Sequence, residues 1–277
     1  MPLPLHWHTE PFLLLSLLGA GWVFVMLMGP LRRFFRKAPE KFPWAPVGLF
    51  LLALGGLYLS VGSPLDQLGE DYLFSAHMVQ HMLLIYALPP LFLVALPRWL
   101  NDPLLSWGPF RALWRRLTHP VFAGVFFSLS YSLWHIPILY EAALHDKWLH
   151  ILEHTMMFFP ALLMWWPLLA RSDRVPPIGY GPRMLYVFVL MVLQFPVFGV
   201  LCFSGEALYP TYAFAPRIIE GFTAVQDQVL GGIIMKVINM LVSLTVLGAS
   251  FYAWYQADQR AQVAQTLRRT PARLAPS

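Results

Sequence analysis

The chain has 277 residues, of which 58% are hydrophobic and only 12% charged, against roughly 45–50% and about 25% in ordinary soluble domains. So little charge cannot keep a soluble surface wet, and the 25 prolines and 18 glycines are scattered rather than gathered into a low-complexity tract, so one or two soluble domains and disorder are both excluded. A single cysteine excludes an intramolecular disulfide and a cysteine zinc cage. What remains is an all-α polytopic membrane protein.

Seven segments are long and apolar enough to cross a bilayer as helices, for which about 20 residues are needed. They are 12–29, 44–62, 72–96, 120–138, 148–169, 184–204 and 229–255. Their content of Leu, Phe, Met and Ala, without period-2 alternation, argues against an outer-membrane barrel. Pro89 and Pro90 in the third span, Pro160 and Pro167 in the fifth and Pro196 in the sixth predict kinks whose freed carbonyls must find other donors. A single membrane domain, 1–256, is expected, followed by a basic, mobile cytoplasmic tail over 257–277.

Orientation follows from the basic residues. Arg32, Arg33, Arg36, Lys37 and Lys41 follow span 1; Arg98, Arg111, Arg115 and Arg116 follow span 3. Arg171, Arg174 and Arg183 follow span 5, and Arg260, Arg268, Arg269 and Arg273 lie in the tail. Only Lys147, Arg217 and Lys236 fall elsewhere. The alternation predicts an outer N-terminus and a cytoplasmic C-terminus. The formal charge of +5 is then an orientation signal and gives no nucleic-acid partner; the bilayer is the partner it implies. The basic cluster follows the first apolar run instead of preceding it, so span 1 reads as a retained helix and not a cleaved signal.

On this orientation eight of the nine histidines fall on the outer side, His119 alone on the cytoplasmic one. His77 and His81 are four residues apart, and so are His150 and His154, which puts each pair on one helix face as a chelating arrangement. His135 sits at the same level on span 4. An isolated intramembrane histidine is often only hydrogen-bonded to a neighbour, but two such pairs and a fifth ring at one level point to a metal site. Met82 is an alternate ligand beside His135. Met78, Met235 and Cys202 add soft sulfur, which beside imidazole favours copper, Cu(I) especially, although each of them also suits simple packing. Gln80 and Glu153 are placed to orient imidazoles. Span 7 opens with Asp227, Gln228 and a Gly231–Gly232 pair that allows close helix approach. Lys236 within it must find a carboxylate or carbonyl partner.

The chain resembles the seven-helix CtaG-type cytochrome c oxidase assembly factors. The resemblance rests on His77 to Leu84 followed by Pro89-Pro90, on Trp134-His135-Ile136-Pro137 with Tyr140, on His150 to His154 with Trp165-Trp166-Pro167, and on Asp227-Gln228 through Gly231-Gly232 to Met235. It covers about residues 10 to 256. Members usually carry a tryptophan after the methionine of the last motif, where this chain has Lys236. The resemblance implies a bacterial inner-membrane protein that delivers copper to the membrane-embedded copper centre of a haem–copper oxidase. The expected partners are the catalytic subunit of that oxidase and a soluble periplasmic copper chaperone. The thiolate chemistry of the unrelated single-span chaperones sharing the name cannot apply, because their cysteine pair is missing. Bis-histidine haem ligation and metal transport are the alternatives; a scaffold with structural histidines is a further one. No enzyme is expected, since no nucleophile motif or phosphate loop is present.

Overall fold

A computed structural model describes residues 6–269; Arg273 and the end of the expected tail lie outside the described residues. Every regular element among the described residues is helical. In chain order these are α1 (Pro11–Met28), a 3₁₀ turn (Pro30–Phe34), α2 (Trp44–Val61), α3 (Pro64–Asp71) and α4 (Phe74–Met82). A π turn (Leu83–Ala87) joins α4 to α5 (Leu88–Ala95), followed by α6 (Arg98–Leu104), α7 (Gly108–Leu117), α8 (Pro120–Trp134) and α9 (Pro137–His145). The remainder is α10 (Lys147–Leu169), α11 (Tyr180–Leu193), α12 (Phe195–Phe203), α13 (Pro210–Phe214) and α14 (Ala224–Arg269).

Five helical stretches have the length and composition to cross a membrane: Pro11–Met28, Trp44–Asp71, Phe74–Ala95, Tyr180–Phe203 and Ala224–Thr266. The pair α8 and α9 is a sixth if counted as one broken span. Helix α10, expected as the fifth span, has 23 residues, about 34 Å at 1.5 Å per residue. It is less apolar than the other spans, because His150, Glu153, His154 and two prolines dilute its hydropathy. It is shielded instead, packed against α8, α9, α5 and the π turn. The outer helices are apolar all round, as lipid-facing helices are, with Leu15, Leu18 and Trp22 of α1 exposed.

Three boundaries differ from expectation. The segment 120–138 is not one straight span: α8 stops at Trp134, and α9 leaves at 73°. Pro137 has no N–H for the carbonyl of Leu133 and disfavours a helical residue before it, so the chain turns over His135 and Ile136. The sixth span begins earlier, at Tyr180. The last helix begins at Ala224 and continues to Arg269, so the first part of the expected mobile tail is helical; its Ala, Gln and Arg content, free of Gly and Pro, favours this.

Two of the proline kinks are compensated by side chains from other helices. Pro89 cannot donate to the carbonyl of Ile85, and the Trp165 indole N–H does so at 2.8 Å. The π turn spans that gap. Pro160 leaves the carbonyl of Met156 free, and the Ser130 hydroxyl donates to it at 2.7 Å. Both repairs tie α10 to its neighbours beside the histidines. Lys236 donates to the carbonyl of Met191 at 3.3 Å and lies 3.4 Å from the centroid of the Phe195 ring, so its charge meets a carbonyl and an aromatic face.

Two glycines set how closely the helices approach. A Cβ on Gly69 would stand 2.9 Å from the Cα of His77, and one on Gly231 would stand 2.5 Å from Phe74 Cδ1. Only glycine lets α3 and α14 close on α4 from its two sides.

Candidate metal centre

Helices α4 and α10 carry the same local arrangement: His77, Gln80, His81 on one and His150, Glu153, His154 on the other. At about 100° per residue, positions i, i+3 and i+4 fall within an arc of about 100°, so each triplet occupies one helix face. The two faces meet. His77 Nε2 lies 2.8 Å from His81 Nε2, and Glu153 offers its two oxygens at 3.9 Å from His77 Nε2 and 3.6 Å from His81 Nε2. Donor atoms of His77, His150, Glu153 and His154 all lie within 4.8 Å of one another. Ring centroids of His77 and His81 stand 5.6 Å from that of His154. Two imidazole nitrogens on one tetrahedral ion would be about 3.3 Å apart, so this spacing suits a shared ion.

The surroundings fix which nitrogen faces the centre. Tyr212 donates its hydroxyl to the Gly69 carbonyl at 2.5 Å. Its oxygen can then only accept from His77 Nδ1, 3.4 Å away, which leaves the His77 Nε2 lone pair for the centre. His135 Nδ1 lies 2.6 Å from the Tyr131 carbonyl. A carbonyl only accepts, so His135 also keeps its Nε2 lone pair, on a ring 5.9 Å from that of His81. His150 turns Nδ1 to the carboxylate of Glu70. Outer groups that hold one imidazole nitrogen as N–H are what a metal-ligating histidine requires.

The centre is buried, and its one internal hydrogen bond joins His77 Nε2 and His81 Nε2. His77, His81 and Glu153 are fully buried, and His150 and His154 nearly so. The Nε2 atoms of His135, His150 and His154 and both Glu153 oxygens are buried without a hydrogen bond. Lone pairs therefore outnumber donors around one point, an arrangement that costs free energy unless a cation sits among them. Among the described residues no Lys or Arg pairs with Glu153.

The supporting residues divide by role. Asp227, from α14, accepts from the N–H groups of Phe74 (2.6 Å) and Ser75 (3.1 Å). Leu73, the residue before α4, has no side chain to cap it, so Asp227 caps from another helix. Gln228 donates to the Leu201 carbonyl (3.1 Å) and Ser204 hydroxyl (2.8 Å), and its oxygen accepts from Leu208 N–H (2.7 Å). That fixes the strand of loop leading to Tyr209 and Tyr212. Tyr209 donates to the His135 carbonyl exposed by the α8 break, and Tyr140 packs with both tyrosines.

Gln80 faces away from the histidines, donating to Ser60 carbonyl at 2.9 Å and to Asp66. Met78 packs on Gly231, and Met82, four residues on, shares its face; both belong with Met235 to the apolar core. Cys202 lies against Gly232 and donates weakly to the Val229 carbonyl at 3.8 Å. The sulfur atoms thus line the α4–α14 and α12–α14 seams. Sequence reading missed Tyr209, Tyr212, Asp66 and Glu70. Tyr140 was visible only as part of a motif.

Fold and site together define a class: a multi-helix membrane protein whose bundle encloses a buried histidine–carboxylate centre. Residues 22–257 match the cytochrome c oxidase caa3 assembly factors. The chain belongs to that family. Comparison with curated proteins and with solved structures gave no match.

Proposed function

We propose that this assembly factor binds copper at the centre formed by His77, His81, His150 and His154 with Glu153, with His135 beside it, and passes it to the membrane-embedded copper centre of a haem–copper oxidase. The observation that carries this reading is the convergence of donor atoms from His77, His150, Glu153 and His154 within 4.8 Å, with His150 and His154 Nε2 and both Glu153 oxygens lacking any hydrogen-bond partner. Imidazole-rich sets suit copper, and a dry site of neutral ligands with one carboxylate suits a monovalent ion such as Cu(I). Copper is cargo here, and no chemical conversion of a substrate is assigned to the chain.

The topology that serves this role has seven spans, with α10 as the shielded central one, an outer N-terminus and a cytoplasmic C-terminus in a bacterial inner membrane. Basic residues gather in the links after α1, α5 and α10 and at the end of α14, which supports that orientation. The centre then lies towards the outer face. An oxidase catalytic subunit could receive the ion by lateral contact, and a soluble periplasmic chaperone could supply it. The neighbouring histidine rings are in direct contact, with centroids such as His77–His81 at 4.3 Å and His150–His154 at 4.2 Å. That closeness favours a single ion over a macrocycle inserted between rings.

The test is elemental analysis of purified wild type beside a His77→Ala/His81→Ala/His150→Ala/His154→Ala variant, with an absorbance spectrum of each. Stoichiometric copper in the wild type, its loss in the variant and no intense Soret band are expected. Equal copper in both proteins would overturn the assignment.

A further inference from the structure

A second group of ligands lies beside the first. One donor atom each from Asp66, Glu70 and His150 falls within 4.8 Å of the others. Asp66 and Glu70 stand one turn apart on the short helix α3, held against α4 by the Gly69 contact. The N-terminal segment lies across this end of the molecule: His8 N–H donates to the Gly62 carbonyl (2.9 Å), and Tyr58 donates to the His8 carbonyl (3.1 Å). That places His8 Nε2 3.2 Å from Asp66 Oδ2. The group reaches water, since the side chains of His8 and Glu70 are 24% and 31% exposed. The buried centre does not.

A further observation points to a ligand. Gln80 is fully buried and places its amide on Asp66, yet its Oε1 has no donor. His150 turns Nδ1 to Glu70, so this is the nitrogen it offers the outer group. Two carboxylates stand here, and among the described residues their only ionic partners are His8 and His150. Uncompensated carboxylates in such a setting favour a cation.

We propose that Asp66, Glu70 and His150, closed by His8, form an outer metal site for a divalent transition-metal ion. Mixed carboxylate and imidazole donors match borderline ions such as Cu(II), Zn(II) or Co(II) better than Cu(I). His150 belongs to both groups. A neutral imidazole offers one lone pair at a time, so the outer ion and the buried ion compete for this ring. The inference rests on the copper reading only for what occupies the buried centre; the outer group stands on its own residues.

The test is titration of purified full-length protein with Cu(II), followed by electron paramagnetic resonance. Wild type should give a saturable type 2 signal with nitrogen hyperfine structure. Glu70→Gln and Asp66→Asn should each weaken that binding about tenfold or more, and Asp66→Asn, which touches no histidine of the buried centre, should leave Cu(I) stoichiometry there unchanged. His8→Ala, altered only in the surface segment, should bind a few-fold more weakly and lose one nitrogen coupling. Unchanged Cu(II) affinity in both carboxylate variants would overturn the outer site. A His81→Ala/His154→Ala variant separates the two readings: its outer signal should persist while Cu(I) is lost, and retained Cu(I) would count against the buried centre alone.

Discussion

Glu153 is the residue on which the chemistry of the buried centre turns. It is the carboxylate among the histidines, and neither oxygen accepts a hydrogen bond. Glu153→Gln keeps the shape and removes the charge, so metal affinity should fall about 10- to 100-fold. Thermal stability without metal should hold or rise, because an unpaired buried carboxylate is unfavourable. Metal titration and melting of metal-free protein in detergent check both halves. Undiminished binding, or a metal-free variant melting several degrees lower, would show that Glu153 serves packing instead. The two histidine pairs were legible in the sequence because helical periodicity alone puts i and i+4 on one face. Glu153 and Gln80 look equivalent there, each one residue before a histidine, yet one enters the centre and the other turns to Asp66. Which way they face depends on what packs beyond them, and local spacing cannot carry that.

Among the elements, α4 and α10 form the site because other helices supply what they lack. Asp227→Ala should remove the cap of α4 and destabilise the protein by about 1–2 kcal/mol, with weaker metal binding as His77 and His81 loosen. Asp227→Asn should recover part of the stability, since its amide oxygen still accepts. Equal melting of Asp227→Ala and wild type would argue that the cap is dispensable. The Pro160 kink offers a second check. Ser130→Ala leaves the Met156 carbonyl buried without a donor, a loss of about 1–3 kcal/mol. In Ser130→Ala/Pro160→Ala the restored backbone N–H can take that carbonyl, so the double variant should be more stable than Ser130→Ala alone. Additive losses would refute the pairing. The kinks were foreseeable from proline positions, but not their partners: Ser130 and Trp165 come from separate helices. The break after Trp134 was also readable from Pro137, yet the apolar run continues past it and masks the turn.

Across the whole molecule, the bundle is held by apolar seams, and its buried histidines gather with Glu153 in one region, the centre proposed to take a cation. Binding to the folded state alone stabilises by mass action, about 2.7 kcal/mol at 100 times the dissociation constant. Copper added under reducing conditions should therefore raise the melting temperature of wild type by several degrees, and a chelator should reverse it. The His77→Ala/His81→Ala variant should show no such rise; a similar rise there would place the stabilising ion elsewhere. The N-terminal segment is fastened at a further point, where Lys147 at the start of α10 donates to Glu10 at 2.5 Å and holds that carboxyl below its usual range. Both groups are exposed, so replacing Lys147 by Ala should change melting by little, as surface pairs usually do. Composition and charge alone disclosed a bundle of apolar helices. The short helices α3, which brings Asp66 and Glu70, and α13, which brings Tyr212, are too brief to stand out from loops.

The cap from Asp227 also has a meaning in time. Every helix that bears a ligand precedes α14 in the chain, so the histidines and Glu153 leave the ribosome before the group that pins the start of α4. A chain interrupted before residue 224 would hold all the buried donors without the pin that sets two of them in register. If the centre binds copper as proposed, completion of the last helix is the step that arms it, and metal capture waits for a finished molecule instead of a nascent one.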